Sequence, residues 1–408
     1  MSRAGFRSPP GNAAAGSRFW RTRRREIAPR LLAWFDRNAR DLPWRRSNNP
    51  YHIWVSEIML QQTRVAAVFE HYGRFLAAFP TIGALARARE SEVLAAWSGL
   101  GYYRRAIHLH RAAQQVDREM EGRLPGSADA LLKLPGVGRY TAAAIASIGF
   151  GEPAAAIDGN VERIVLRLFP WPEARQAREA GWAKEAVPGL APGAASRSRW
   201  VRAIAELLLD PRRPGDFNQG MMDLGATVCL PRRPLCLCCP LHSLCRTRGE
   251  HPVPARSKMR SRQVAYALCE RPRGGGRKVL LVRRAETEGL MPGMWELPEI
   301  TAEVGARLRL REWNAPPAEL TLRHSITQTN YRVGVIRVSH AMAADLSAAP
   351  TLRKWVEYTE LDRLAVTGLT RKILRRLLIP DSRSGSLRRR QPGRARDAVS
   401  EPAPLLGG

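Results

Sequence analysis

From residue 26 to residue 228 apolar positions recur at helical spacing. Leu31, Leu32, Trp34 and Phe35 form one stripe. Ile53, Trp54, Val55, Ile58, Met59 and Leu60 form another, broad enough to predict a buried helix. Val93, Leu94 and Trp97 continue the pattern, as do Ile145, Ile148, Ile157, Ile164, Val165 and Leu168. Pro43, Asn48-Asn49-Pro50, Pro80, Pro125-Gly126 and Pro135-Gly136 punctuate it with turns. No internal repeat is visible. Residues 246–262 lose all periodicity and carry charge and proline, the pattern of a linker. The period then changes. Val264–Leu268 and Val279–Val282, joined across Gly274-Gly275-Gly276, predict a β-hairpin. Tyr331–His340 predicts a further strand, and Leu369–Leu378 a basic closing helix. The pattern therefore predicts a multidomain chain. It has a disordered basic arm (1–25), an all-α domain (26–245), a linker (246–262), an α+β domain (263–380) and a disordered tail (381–408).

Charge sharpens this picture. Of 408 residues 66 are Lys or Arg against 37 Asp or Glu, a net charge of +29. The arm holds +7 and the tail +3, which leaves +19 on the body. So basic a body calls for a polyanion, nucleic acid first. Only six of the bases are lysine. Arginine suits bidentate phosphate contact, although a high-GC genome also favours it. No run of about 18 apolar residues exists, so no membrane partner is expected. The N-terminus lacks the apolar core of a secretory signal; a transit peptide and a DNA-brushing arm fit it equally.

Four places carry candidate chemistry. Leu134-Pro135-Gly136-Val137-Gly138 separates two helical stretches. Its glycines permit positive φ and close approach, leaving amides at the next helix start free for a phosphate. A bare Gly-x-Gly fits an ordinary helix–helix turn as well. Asp158, before Gly159-Asn160, reads on its own as an N-cap. Glu57 is a lone carboxylate on an otherwise apolar helix. Such a group is either paired with a core arginine or protonated, and protonation near neutrality makes it a general acid. Cys229, Cys236, Cys239 and Cys245 give C-x6-C-x2-C-x5-C, with Cys238 as an extra thiol. One tight loop suits an iron–sulfur cube better than the paired knuckles of zinc.

Together these motifs carry a resemblance. Leu-Pro-Gly-Val-Gly resembles the helix-hairpin-helix DNA-binding motif, expected over 128–150. The hairpin, the later aspartate and the cysteine spacing of 229–245 resemble the glycosylase superfamily that includes endonuclease III, with its [4Fe-4S] loop. Arg40–Val65, "RDLPWRRSNNPYHIWVSEIMLQQTRV", is similar to the opening of MutY-type adenine DNA glycosylases, and the likeness extends over roughly 28–378. This resemblance implies base-excision repair on double-stranded DNA, removing adenine opposite 8-oxoguanine or guanine after flipping it from the stack. Glu57 would protonate adenine N7, and Asp158 would stabilise the oxocarbenium ion. Tyr140 and Asn160 would bond around them. Arg45 would reach the flipped base, Gln62 would fill space beside the estranged guanine, and Tyr102 would wedge between bases. Gly136, Val137 and Gly138 would meet phosphate. Bifunctional members carry a lysine where this chain has Tyr140, and Lys133 lies across the turn, so no Schiff base is expected.

Leu290–Glu299, "LMPGMWELPE", looks like the entry to a Nudix fold. The glutamate-rich Mg²⁺ helix does not follow, so nucleotide hydrolysis is not expected. In the adenine glycosylases this domain recognises the oxidised guanine. The usual Phe-Ser-His contact loop reads Ile326-Thr327-Gln328 here, which keeps a hydroxyl at Thr327 and loses the aromatic and the histidine. The alternatives are a thymine or uracil mismatch glycosylase of the same superfamily and a non-catalytic helix-hairpin-helix DNA-binding protein. The Nudix-like domain argues against the first, the Glu57–Asp158 pair against the second. A monomer is expected. It would be cytoplasmic and nucleoid-associated in a bacterium, nuclear or mitochondrial in a eukaryote. Clamp or mismatch-repair partners fit such a protein, but no motif marks them.

Overall fold

The computed structural model describes residues 10–171, 187, 196–248, 259–273, 276–285, 287–288, 291–310, 318–326, 329–346 and 352–378. Thr327, the Gly274-Gly275 turn and the tail from 381 lie outside them.

Eleven described helices build the first domain around two apolar cores. α2 (Pro50–Leu60), α3 (Val65–Ala78), α4 (Ile82–Arg87), α5 (Glu90–Trp97) and α6 (Arg104–Glu119) pack with α7 (Ala128–Leu131) and α8 (Arg139–Phe150) on the first core. Trp54, Phe75 and Trp97 are among the largest side chains fully buried there. α1 (Pro10–Asn38) packs with α9 (Gly159–Leu168), α10 (Arg197–Leu208) and α11 (Pro214–Thr227) on the second, which the cysteine loop also joins. α2 packs against α8, and α8 also meets α11.

The N-terminal boundary differs from the expected one. α1 begins at Pro10, not near 26. Trp20 extends the stripe of Ile27 and Leu31, is 2% exposed and meets the Phe169 ring at 5.0 Å. Much of the expected arm is thus helix.

The second domain is a six-stranded sheet: β1 (Arg260–Arg273), β2 (Gly276–Arg283), β3 (Trp295–Glu296), β4 (Leu320–Ile326), β5 (Thr329–Val338) and β6 (Arg353–Glu357). The order is β3-β2-β1-β5-β4, with β6 also on β2. β1 and β2 form the expected hairpin, Glu270 opposite Val279. β1 runs parallel to β5 along Arg260–Cys269, a pairing that no local pattern announces. Alternation along β1 splits the interior. Val264, Tyr266 and Leu268 face α13 (Gly368–Leu378), while Ala265, Ala267 and Cys269 face α12 (Ala302–Arg307).

The domains touch beside α5. Ser98 Oγ donates to Val366 O at 2.7 Å and accepts from Arg371 Nε at 2.6 Å. Tyr103 Oη donates to the same carbonyl at 3.3 Å, and Met294 and Ala365 join the first core. No helix among the described residues is long and apolar enough to cross a membrane.

Candidate active site

A cavity of about 1420 Å³ opens between the two domains. Glu57, Gln62, Tyr102, Gly136, Gly138, Tyr140 and Asp158 all line it, which gathers seven of the residues that the sequence singled out. Val137 does not: it is 7% exposed and packs into the first core.

Glu57 owes its place to α2. Asn49 caps this helix by accepting from the Tyr51 amide at 2.9 Å, Pro50 starts it, and apolar residues surround it on nearly every face. Glu57 is 6% exposed, and its Oε2 has no hydrogen-bond partner. Burial pushes its carboxyl up to about 7, against the pull of Tyr140 and Arg45 and with a push from Asp158. The Tyr140 hydroxyl donates to Met222 Sδ at 3.3 Å and also leans on Glu57. Burial, then the negative charges of Glu57 and Asp158, hold the phenol well above its usual range, so it stays protonated.

Asp158 is the N-cap that the sequence allowed, and it also lines the cavity. As N-cap of α9, its Oδ1 accepts from the amides of Asn160 and Val161 at 2.9 and 2.8 Å. Its Oδ2 accepts from Asn160 Nδ2 at 2.8 Å, and the carboxylate still faces the cavity. Asn160 acts on Asp158 from behind. Its Oδ1 takes Arg163 Nη2 at 2.8 Å, and Arg163 Nε reaches Cys229 O at 2.8 Å.

Arg45 sits elsewhere than expected. Its fork closes on Asp223, Nη1 to Oδ2 at 2.7 Å and Nη2 to Oδ1 at 2.9 Å, while Arg40 Nε takes Oδ1 at 2.8 Å. Burial raises the Asp223 carboxyl, but bonds and charge from Arg45, then Arg40, outweigh it and hold it below the usual range. Arg45 lines a separate cavity of about 60 Å³ behind Glu57, with Arg40, Tyr140 and Met222. In this conformation it is a cation beside the acid, with its donors on Asp223 rather than toward a base.

The sequence reading missed α11. Asn218 bonds Ser147 Oγ, Ala154 O and the Ala156 amide, fixing the extended segment that leads to Asp158. A Cβ on Gly225 would lie 2.5 Å from Asn160 Cβ, so only glycine lets α11 this close. The one available signal was Asp223, a carboxylate inside "MMDLG".

The hairpin matches its expected form. Gly136 has φ +75°, and a Cβ there would lie 2.6 Å from His108 Cβ, so two constraints demand glycine. Gly138 is the N-cap of α8 and offers no side chain. Among the described residues the amides of Gly136, Gly138, Arg139, Tyr140 and Thr141 have no acceptor, whereas Val137 N donates to Leu134 O. Gln62 and Tyr102 both hold left-handed backbones, φ 56° and 49°, at exposed positions on the cavity wall. From the second domain come His324, Ser325 and Ile326, with the α13 cations Lys372, Arg375 and Arg376.

The thiols of Cys229, Cys236, Cys239 and Cys245 are partly buried, whereas Cys238 is exposed. Burial pushes Cys239 up to about 11, and the thiols of Cys229, Cys245 and Cys236 add to that push; Cys238 does not. Arg167 binds the loop through Cys229 Sγ at 3.1 Å, Leu230 O at 2.9 Å and Pro231 O at 3.1 Å. Among the described residues no three His, Cys, Asp or Glu side chains stand as close as one metal ion requires. A four-iron cube spreads its thiolates wider than a single ion does.

A hairpin with free amides beside a buried acid and a facing aspartate defines a base-excision protein of the helix-hairpin-helix class. Residues 55–184 match the HhH-GPD superfamily base excision DNA repair protein family. The chain is 34% identical to the adenine DNA glycosylase of Homo sapiens, over 85% of this chain and 72% of the relative. It is also 34% identical to that of Mus musculus, over 92% and 82%. It belongs to the adenine DNA glycosylase family. Among solved structures a thermostable thymine-DNA glycosylase is 29% identical over 57% of this chain and 99% of its own, with a TM-score of 0.47.

Proposed function

We propose that this chain is a monofunctional base-excision enzyme that removes adenine mispaired with 8-oxoguanine or guanine in duplex DNA. The observation that carries the reading is Glu57: a buried carboxyl near pKa 7, with an unpartnered oxygen, on the same cavity wall as Asp158. The flipped adenine enters the cavity. Glu57 gives its proton to N7, the C1′–N9 bond breaks, and adenine leaves neutral. The Asp158 carboxylate stabilises the oxocarbenium ion, as carboxylates do in glycoside hydrolysis. Water adds at C1′, and its proton returns to the Glu57 carboxylate. Tyr140 replaces the imine lysine and only donates hydrogen bonds. Asn160 fixes the Asp158 rotamer, and the Arg40–Arg45–Asp223 cluster sets the field behind the acid.

DNA is held from two sides. The hairpin amides receive one phosphate, assisted by exposed Arg139. Arg375 and Arg376 on α13, exposed and without carboxylate partners among the described residues, face the same cavity and take the other strand. Tyr102 wedges and Gln62 fills the gap. The segment about His324–Ile326 and Thr327 reads the opposite base. Cys229, Cys236, Cys239 and Cys245 would hold a [4Fe-4S] cluster, which supplies a rigid anchor for the basic loop of Arg232 and Arg233.

Glu57→Gln tests the acid. It keeps size and hydrogen bonding but delivers no proton. Affinity for an A·8-oxoguanine duplex should persist while base release falls by roughly 10²–10⁴-fold. Release at the wild-type rate would remove Glu57 from the mechanism.

A further inference from the structure

Arg105 lies at the start of α6, three residues after Tyr102, partly buried and without a carboxylate partner among the described residues. Its hydrogen bonds go to backbone carbonyls and one hydroxyl. Nη1 donates to Ile58 O, Met59 O and Gln61 O at 2.7, 2.9 and 2.6 Å, which covers carbonyls left open at the C-terminal end of the Glu57 helix. Nη2 donates to Thr63 Oγ1 at 2.9 Å and to Gly101 O at 3.1 Å. The guanidinium also lies 5.3 Å from the Trp97 ring and 5.5 Å from the Tyr102 ring. Burial lowers its pKa to about 10, so it stays cationic at neutral pH.

These bonds join two turns that are 40 residues apart and equally strained. One carries Gln62 at φ 56°, the other Tyr102 at φ 49°. Left-handed backbone at a non-glycine residue persists only where the surroundings impose it. Here the shared feature of the surroundings is Arg105.

We propose that Arg105 is the positioning residue of duplex opening. It locks the Gln62 turn, the Tyr102 turn and the end of the Glu57 helix into one rigid unit, so that gap filler, wedge and acid are preset before DNA arrives. The chemistry requires arginine: a planar fork reaches acceptors on both turns at once, and an ammonium does not. This rests on the proposed glycosylase reading for the roles of Gln62, Tyr102 and Glu57.

The test uses full-length protein, wild type against Arg105→Lys and Thr63→Val. A duplex with 2-aminopurine next to the mispaired adenine reports unstacking. Single-turnover release, melting temperature and affinity for undamaged duplex across a salt series are measured beside it. Arg105→Lys should lower both the unstacking signal and the release rate by about tenfold to a hundredfold, the scale of small misplacements in a preset site. Undamaged-duplex affinity and its salt slope should not change, because the charge is kept and the Arg105 donors are taken up by protein acceptors rather than phosphate. Thr63→Val should act in the same direction, more weakly. Wild-type unstacking in Arg105→Lys would overturn the proposal. So would a salt slope smaller by about one, which marks a phosphate contact instead. If Arg105→Lys does not fold, Thr63→Val decides, and unchanged unstacking there overturns it. A wild-type chain that releases no adenine would instead overturn the glycosylase reading, whatever the variants do.

Discussion

Single residues carry the chemistry, and what the sequence revealed of them depended on distance along the chain. Glu57 stood out because a lone carboxylate on an apolar helix demands an explanation. Asp223 is the same kind of residue, yet its partners lie 178 and 183 residues away, and no local pattern connects them. Arg45 was singled out, but its engagement with Asp223 was invisible for the same reason. Asp223 is now the handle on the acid. Asp223→Asn leaves two cations without their counter-charge, a change that costs about 3–5 kcal/mol for a buried pair. The excess positive charge favours the Glu57 carboxylate, so its pKa falls below about 7. The acid form is lost as pH rises, so the release rate of wild type should decline above about pH 7 and that of the variant at lower pH. A single-turnover pH profile checks this; an unmoved limb would disconnect Asp223 from Glu57. Stability follows the same sign. The folded chain keeps a proton on Glu57 that the unfolded chain has lost above about pH 4.5, so this residue's share of stability fades as pH rises toward 7.

Elements were legible in proportion to how local their rules are. The hairpin could be read because its glycines answer local needs: positive φ at Gly136 and an open N-cap at Gly138. The β1–β2 hairpin was legible from its flanking alternation. The parallel β1–β5 ladder was not, since it joins Val264 to Val333 across the intervening strands. α11 was legible as a helix but not as a part of the site, because Asn218 and Gly225 matter through what they touch. The cysteine loop was legible in spacing but ambiguous in its third thiol. The family spacing points to Cys239, which is partly buried where Cys238 is exposed. Cys238→Ser should therefore retain about four irons per chain, while Cys239→Ser loses iron and weakens DNA binding. Equal iron loss in both, or one zinc and no sulfide in wild type, would refute the assignment.

At the scale of the molecule, composition gave the partner class and periodicity gave two domains. Neither could show that the cavity lies between them, or that α13 brings Arg375 and Arg376 to face the hairpin across it. Ser98 and Tyr103, on either side of Tyr102, both bond Val366 of the second domain. The second domain is thus seated directly behind Tyr102. The domains divide the work: the helical one holds the acid, aspartate, hairpin and thiols, and the sheet domain adds cations and the segment about His324–Ile326.

The central claim is that this cavity removes adenine and no other base. Its most direct test is single-turnover base release by the full chain on six duplexes, with A, T or U opposite guanine or 8-oxoguanine, at one salt concentration. The account predicts release of adenine alone, faster or tighter opposite 8-oxoguanine, with no protein–DNA adduct trapped by borohydride. Release of T or U at comparable rates would contradict it, as would tight binding with no base released at all.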